Sequence, residues 1–336
     1  MSRAAVLCGI GSALPPRLVT NDELAQRLDS SDEWIRTRTG IRQRYFATPG
    51  MTTSDLAVDA GEQALKSAGI STVDAVIVAT TTPDRLCPAT APTVATRLGL
   101  GGTAAYDISA VCTGFLYALA AAVGTIVAGI GERVLVIGAE VFSSILNPAD
   151  RATSVIFGDG AGAVVLRAGD SEEPGAVGPF ALGSDGDGRD LITVRAGGSA
   201  QRLSGQPPLP HEQYFEMAGK EVFWRAVQYM SESTRTVLTR TGWRVEDVDW
   251  LICHQANLRI LHRLADQLGV PRERAIGNIA EVGNTSAASI PIAMDHALAQ
   301  GTLHSGDRVV LTAFGGGLTW GATTLTWPEI DHSGNH

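Results

Sequence analysis

The chain reads VDAVI at positions 73–77 and VDWLI at positions 248–252, which sets an offset of 175 between the two runs (248 − 73). A second pair repeats this offset, because GERV at 131–134 returns as GDRV at 306–309. Further along, GAVVL at 162–166 is similar to GATTL at 321–325, at a different spacing. Each match alone is weak, but two matches in the same order and at one offset are typical of an internal duplication. We therefore predict two related halves, with chance similarity between strand-like runs as the alternative.

The repeated stretches are short apolar runs that alternate with helical segments. They lie at 75–79, 133–137, 250–253 and 308–311. Runs this apolar suit central strands of a sheet that is covered on both faces, which predicts an α/β fold. We expect an N-terminal half over 1–170 and a C-terminal half over 215–336. The segment 171–214 between them is rich in Gly, Pro and Asp, and is predicted to be a connecting loop or cap.

Composition excludes several classes of function. The 336 residues carry 26 Lys plus Arg against 35 Asp plus Glu, a net charge of −9, which argues against binding to nucleic acid or to an anionic membrane. No apolar stretch reaches the roughly 18 residues of a transmembrane helix, and the apolar start is predicted to be a first strand. The four cysteines are widely spaced without a CxxC pair, which predicts no disulfide framework, no metal site and a cytoplasmic location.

Cys112 is the candidate nucleophile. It follows a predicted strand that ends near Ile108 and precedes a helix that begins at about Thr113. A cysteine at a helix N-terminus is placed where the helix dipole favours the thiolate. On position alone, a buried structural cysteine remains the alternative.

His254 and Asn284 are candidate partners of that cysteine. His254 directly follows the predicted strand 250–253, and the carboxyl ends of parallel strands are where open α/β sheets bind ligands. Asn284 precedes a predicted helix, where a simple capping role is the alternative. The offset between the halves maps Cys112 onto Ala287, so Asn284 and Cys112 would lie on corresponding turns. A glycine run over 315–317 could add a backbone N–H for an oxyanion hole, with a flexible turn as the alternative.

At these residues the chain resembles the β-ketoacyl-acyl-carrier-protein synthase III family of the thiolase superfamily. The matching motifs follow the family order over nearly the whole chain. They are SDEWIRTRTGIR (31–42), the Cys112 turn, FGDGAGA (157–163), HQANLRI (254–260), GNTSAAS (283–289) and FGGG (314–317). The resemblance implies a duplicated thiolase-like α/β fold with five layers, α-β-α-β-α, in a homodimer.

The resemblance also implies a reaction in two stages. Cys112 takes an acyl group from an acyl-CoA, and malonyl-acyl-carrier-protein then loses carbon dioxide and attacks that acyl group. His254 and Asn284 would serve the decarboxylation, and the N–H groups of Cys112 and Gly316 would form the oxyanion hole. No permanently bound cofactor is expected, and coenzyme A enters as the thioester substrate.

The binding residues implied by the resemblance form three groups. Contacts to coenzyme A are expected from Trp34, Arg38, Arg151 and Lys220. Docking of the acidic carrier protein is expected from a basic patch of Arg225, Arg259 and Arg263, to which Lys220 also belongs. The family often carries a lysine pair where this chain has Asp266-Gln267. The acyl pocket is expected to include Cys87, Phe142 and Phe157.

Cys87 stands where several family members carry a Phe that reaches into the partner subunit's acyl site. The smaller side chain predicts primers of about four to eight carbons rather than acetyl, although Phe142 would refill part of the space. The product would start a fatty-acid or an aromatic polyketide chain. The alternatives are a non-condensing acyltransferase, a hydroxymethylglutaryl-CoA-type synthase or a non-catalytic synthase subunit. Retention of Cys112, His254 and Asn284 favours condensation.

Overall fold

The structure is a computed structural model that describes residues 2–330. Its strands, in chain order, are β1 (Arg3–Ala13), β2 (Arg17–Thr20), β3 (Gln43–Phe46), β4 (Ala75–Ala79), β5 (Ala104–Ile108), β6 (Arg133–Glu140), β7 (Gly160–Asp170), β8 (Val177–Ser184), β9 (Ile192–Thr193), β10 (Glu216–Met217), β11 (Trp250–Cys253), β12 (Ala275–Ile276), β13 (Arg308–Gly315) and β14 (Thr319–Thr326).

The α-helices are α1 (Asn21–Ala25), α2 (Asp32–Thr39), α3 (Thr53–Ala68), α4 (Ala91–Arg97), α5 (Gly114–Val127), α6 (Arg151–Ser154), α7 (Ser199–Arg202), α8 (Gly219–Thr241), α9 (Leu258–Leu268), α10 (Ile279–Val282) and α11 (Ser289–Ala299). Within residues 2–330, no helix combines the length and the apolar character that a membrane span requires.

Two five-stranded sheets share one topology. The first has the order β1-β7-β6-β4-β5, and the second, taken from its other end, has the order β8-β14-β13-β11-β12. In each order the last three strands pair in parallel. The second strand pairs antiparallel with both of its neighbours, the first and the third. The register also repeats, because Ala75 pairs with Val134 and Trp250 pairs with Val309. Trp250 and Val309 lie 175 residues after Ala75 and Val134, which is the offset of the sequence repeat. The predicted duplication is therefore confirmed.

The helices complete five layers. Helices α5 and α11 lie between the two sheets, and their apolar side chains form one core with strands of both. Helix α3 covers the outer face of the first sheet, while α8 and α9 cover the outer face of the second. Strand β4 is buried at every residue, as expected for a central strand with helices on both faces. The predicted α-β-α-β-α fold is therefore confirmed.

The segment 171–214 contains more regular structure than its composition indicated. Strand β8 belongs to the second sheet, where it pairs with β14 along the sheet edge. Its Gly and Pro residues led the sequence pattern to predict a loop, but an edge strand tolerates these residues because one side of it is unpaired. The remainder, from Gly186 onward, is mostly short turns.

Candidate active site

Cys112 lies on a short turn that is built twice in this molecule. After β5, a 3₁₀ turn over Val111–Thr113 leads into α5, and in the second half a 3₁₀ turn over Ser286–Ala288 leads into α11. The two turns are related by the same offset as the two halves. They pack against each other at the centre of the molecule, where a Cβ on Gly114, the first residue of α5, would lie 3.4 Å from the Ala287 Cβ. The pseudo-symmetry thus brings the start of α5 and the start of α11 to one place.

The Cys112 thiol is buried, with 8% of the residue exposed. Burial raises the pKa of the thiol to about 12, and the nearby Glu140 carboxylate adds to the rise, while hydrogen bonding by Ser286 opposes it. The helix N-terminus alone led us to expect a thiolate. Here the loss of solvation has the larger effect and keeps the thiol protonated at neutral pH.

His254 follows β11 and is almost fully buried. Its Nδ1 lies 2.7 Å from the Ser289 hydroxyl, at the first residue of α11. When that hydroxyl donates to Nδ1, the ring carries its hydrogen on Nε2, which becomes a donor. Burial lowers the pKa of His254 to about 3, so the imidazole is neutral at physiological pH.

Asn284 has its side-chain amide fixed in one orientation. Its Oδ1 accepts a hydrogen bond of 2.9 Å from the Ser286 backbone N–H, which leaves Nδ2 as the group available to a ligand. The backbone is also held, because the Asn284 N–H donates to the Ile156 carbonyl and its own carbonyl accepts from the Gly158 N–H. The residue therefore presents a neutral donor from a rigid backbone.

These three side chains line one cavity of about 140 Å³. The rest of the wall is largely apolar and includes Phe157, Ile192, Phe215, Val222, Phe223 and Phe314. The structure thus brings together Cys112, His254 and Asn284, which lie far apart in the sequence.

Strand β13 ends beside them, since a Cβ on Gly315 would lie 2.8 Å from the Cys112 backbone nitrogen. The glycine run therefore reaches the Cys112 turn, where the predicted oxyanion hole requires Gly316.

A second, more open cavity of about 700 Å³ adjoins the first. Both cavities are lined by Ile192 and Phe215, and Val111 lines the second. Sequence reasoning missed Ile192 and Phe215, which come from the segment predicted as a loop and from the residue that follows it. They carry no motif that marks them, and only the tertiary fold places them beside Cys112.

The predicted acyl-pocket residues occupy different environments. Phe157 lines the catalytic cavity. Phe142 is fully buried behind it, stacked on the Phe157 ring at 4.2 Å and edge-on to Phe215, and it lines neither cavity. Cys87 lies on an exposed loop next to Arg85 and Leu86, which line the open cavity, but its own side chain is outside that lining.

The predicted coenzyme A contacts form one cluster at Trp34. The guanidinium groups of Arg38 and Arg151 lie over its ring, 4.6 Å and 4.7 Å from the ring centroid. Arg151 is also held by the backbone carbonyl of Asp29. Lys220 lies on another element, exposed in the first turn of α8 and next to Gly219, which lines the catalytic cavity.

The predicted docking arginines differ in their partners. Arg225 forms ion pairs with Asp185, at 3.2 Å, and with Glu221, at 2.8 Å. Arg259 and Arg263 lie exposed on α9, and neither forms an ion pair within residues 2–330. Asp266, at the place where the family often carries a lysine, is paired with Arg272 at 2.6 Å.

Comparison with known proteins identifies the family. The model described as 3-oxoacyl-[acyl-carrier-protein (ACP)] synthase III matches residues 106–186, and the model of the C-terminal region of the same enzyme matches residues 238–327. A β-ketoacyl-[acyl-carrier-protein] synthase III of Streptomyces coelicolor is 66% identical over 98% of this chain and 99% of that protein. The chain belongs to the β-ketoacyl-acyl-carrier-protein synthase III family.

Solved structures of synthase III enzymes agree with the fold. The enzyme of Pseudomonas aeruginosa PAO1 superposes with a TM-score of 0.92 at 55% identity, covering 97% of this chain and 99% of that chain. The priming β-ketosynthase of the R1128 polyketide pathway superposes with a TM-score of 0.90 at 35% identity, covering 98% and 97%. The predicted family is confirmed. So is the predicted activity, that of a condensing acyltransferase joining an acyl-CoA primer to malonyl-acyl-carrier-protein.

Proposed function

We propose that Cys112 is the acyl-carrying nucleophile of this synthase III and that His254 and Asn284 act on the malonyl thioester. The observation that carries this assignment is the single small cavity that all three side chains line. In the first stage, Cys112 Sγ attacks the thioester carbon of the acyl-CoA. The N–H groups of Cys112 and Gly316 stabilise the resulting oxyanion, and coenzyme A leaves.

The second stage needs hydrogen-bond donors that carry no charge of their own. Loss of carbon dioxide from the malonyl group turns its thioester oxygen into an enolate oxygen. His254 Nε2 and Asn284 Nδ2 donate to that oxygen, and both are held in donor orientation by Ser289 and by the Ser286 N–H. The enolate carbon then attacks the acyl group on Cys112, giving the 3-oxoacyl-carrier-protein.

The Trp34 cluster is proposed to bind the adenine end of coenzyme A. A flat ring that lies between Trp34 and Arg151 needs Arg151 to move outward, because its guanidinium now stacks directly on the indole. Arg38 and Lys220 would contribute positive charge for the phosphates. Both arginines and Lys220 are exposed, as such contacts require.

Carrier-protein docking is proposed to rely on Arg259 and Arg263 more than on Arg225. The first two guanidinium groups are exposed and form no ion pair within the described residues. Arg225 is already paired with two carboxylates, and it would have to give up these ion pairs in order to bind a carrier protein. An acidic carrier protein on an enzyme of net charge −9 needs such a local basic surface.

We further propose that the enzyme works as a homodimer in the cytoplasm. The family resemblance is the basis for the dimer. Four free cysteines are consistent with a reducing compartment. Primers of about four to eight carbons are proposed because the open cavity beside Val111 offers more space than an acetyl group fills.

Intact-protein mass spectrometry tests the assignment. The protein is mixed with an acyl-CoA, and malonyl-carrier-protein is then added. We expect one acyl group on Cys112, lost when the 3-oxoacyl product forms. Cys112→Ala should take up no acyl group, while Cys253→Ala, which removes another buried thiol, should be acylated normally. Acylation of Cys112→Ala at another residue would contradict the assignment.

A further inference from the structure

Glu140 is a fully buried carboxyl group at the end of β6. Its oxygens accept hydrogen bonds from the Thr81 backbone N–H at 3.1 Å, the Thr82 hydroxyl at 2.6 Å and the Ser286 hydroxyl at 3.1 Å. Within residues 2–330 it forms no ion pair with a basic side chain. A buried carboxylate without a cation binds its proton more strongly than an exposed one, and burial raises the pKa of Glu140 to about 7.

Ser286 connects this carboxyl group to Cys112. It begins the second-half turn that packs against the Cys112 turn, and its side chain lies close enough to the thiol to lower the thiol pKa. A hydroxyl group has one hydrogen to donate and two lone pairs to accept. Ser286 can therefore accept from the Cys112 thiol while it donates to Glu140, or reverse both bonds when Glu140 is protonated.

The surroundings of Glu140 leave few other proton partners. The end of β4 contributes hydroxyl and amide groups from Thr80, Thr81 and Thr82, and the second-half turn contributes the Ser286 hydroxyl. Of the titratable groups, Cys112 interacts electrostatically with Glu140. His254 lines the same cavity as Cys112, but its imidazole hydrogen-bonds to Ser289.

We propose that Ser286 and Glu140 hold the Cys112 proton while Cys112 carries the acyl group; this rests on the proposed role of Cys112 as nucleophile. In acylation, the thiol proton moves to Ser286 Oγ as the hydroxyl proton moves to Glu140. The bond between Sγ and the acyl carbon forms, the bond from that carbon to the coenzyme A sulfur breaks, and the departing thiolate takes a proton from solvent.

Condensation reverses the proton path. The enolate carbon bonds to the acyl carbon, and the bond from that carbon to Cys112 Sγ breaks. The proton on Glu140 then returns through Ser286 to the sulfur, which restores the thiol. Ser286 touches the reacting sulfur, whereas Glu140 acts only through Ser286 and is a positioning residue.

The two half-reactions should therefore depend on pH in opposite directions. Acylation requires ionised Glu140 as acceptor, so its single-turnover rate with butyryl-CoA should rise with pH through about 7. Condensation of the preformed acyl-enzyme requires protonated Glu140, so its rate should fall through the same range. Glu140→Gln should remove both dependences and slow acylation about 10²-fold, the size typical of general acid–base catalysis.

Matched variants separate this role from a structural one. Ser286→Ala should behave like Glu140→Gln, while Glu140→Asp should keep the opposite pH trends at lower rates. Ser231→Ala, which removes a buried hydroxyl bonded within α8, should match the unmodified enzyme. If Glu140→Gln does not fold, Ser286→Ala gives the same readout. If Glu140→Gln or Ser286→Ala keeps the acylation rate and the pH trends of the unmodified enzyme, the proposal is overturned. A failure of Cys112 acylation in the unmodified enzyme would instead refute the proposed nucleophile.

Discussion

Val111 and Ser286 adopt the same left-handed backbone conformation, with φ angles of 47° and 48°, at equivalent positions of the two halves. A residue other than glycine is uncommon in this region, and a β-branched one especially so. In each half this residue opens the turn that starts the central helix. The strain therefore lies next to Cys112 in one half and two residues after Asn284 in the other, at the residues that form the site.

Replacement of Val111 by glycine tests what this strain does. Val111→Gly relieves a conformation that costs on the order of 1–2 kcal/mol but also frees the turn that holds Cys112. We expect little change in the free energy of unfolding by urea and a slower acylation of Cys112. Val127→Gly, at the last residue of α5, serves as the control that loses the same side chain in ordinary helical backbone. A faster acylation of Val111→Gly would show that the strained turn does not position the thiol.

Asn284 is predicted to serve the second half-reaction. Asn284→Ala removes the Nδ2 donor, so decarboxylation of malonyl-carrier-protein should fall by about 10²–10³-fold while Cys112 is still acylated. Decarboxylation is measured as the release of carbon dioxide from labelled malonyl-carrier-protein. Acylation is measured by the intact mass of the protein after treatment with acyl-CoA. Condensation by Asn284→Ala at nearly the normal rate would refute this role.

Glu140 should make the stability of the fold fall as pH rises. Its pKa is about 7 in the folded protein against 4.5 for the free group, so the folded state binds more protons between these values. The stabilisation is fully present below 4.5 and is lost as pH rises through about 7. At roughly 1.4 kcal/mol per pKa unit, the loss is on the order of 3 kcal/mol.

Urea unfolding at several pH values measures this effect. The comparison is between the unmodified protein and Glu140→Gln, whose side chain does not titrate. Between pH 4.5 and about 7, the unfolding free energy of the unmodified protein should fall relative to that of Glu140→Gln as the pH rises. A constant difference from about pH 4.5 to 7 would mean that Glu140 titrates normally in the folded state.

The sequence predicted the duplication and the three catalytic candidates because each has a local signal, whereas the five layers were implied by the family resemblance. Apolar strand runs repeat at one offset, and Cys112, His254 and Asn284 each lie in a recognisable motif. Ser289 and Glu140 have no such signal, since a serine at a helix start usually caps and a glutamate at a strand end is usually solvated. Both become buried only when the two halves pack together. Burial also explains why Cys112 is a protonated thiol at neutral pH and not the thiolate expected from its helix position.

The last prediction concerns the size of the primer. Each additional buried CH₂ group of a substrate is worth about 0.8 kcal/mol, or roughly fourfold in affinity, where real space receives it. The open cavity of about 700 Å³ is lined by Val111, the residue before Cys112, and by Arg85 and Leu86 of the Cys87 loop. Phe142 does not fill this space, because its ring is stacked behind Phe157. We therefore expect butyryl-, hexanoyl- or octanoyl-CoA to have a higher kcat/KM than acetyl-CoA.

Cys87→Phe should return the preference toward acetyl-CoA by adding an aromatic ring to the loop, whereas Cys87→Ala, which adds no volume, should keep the preference for longer primers. An optimum at acetyl-CoA that Cys87→Phe leaves unchanged would show that neither the cavity nor this loop sets the primer length.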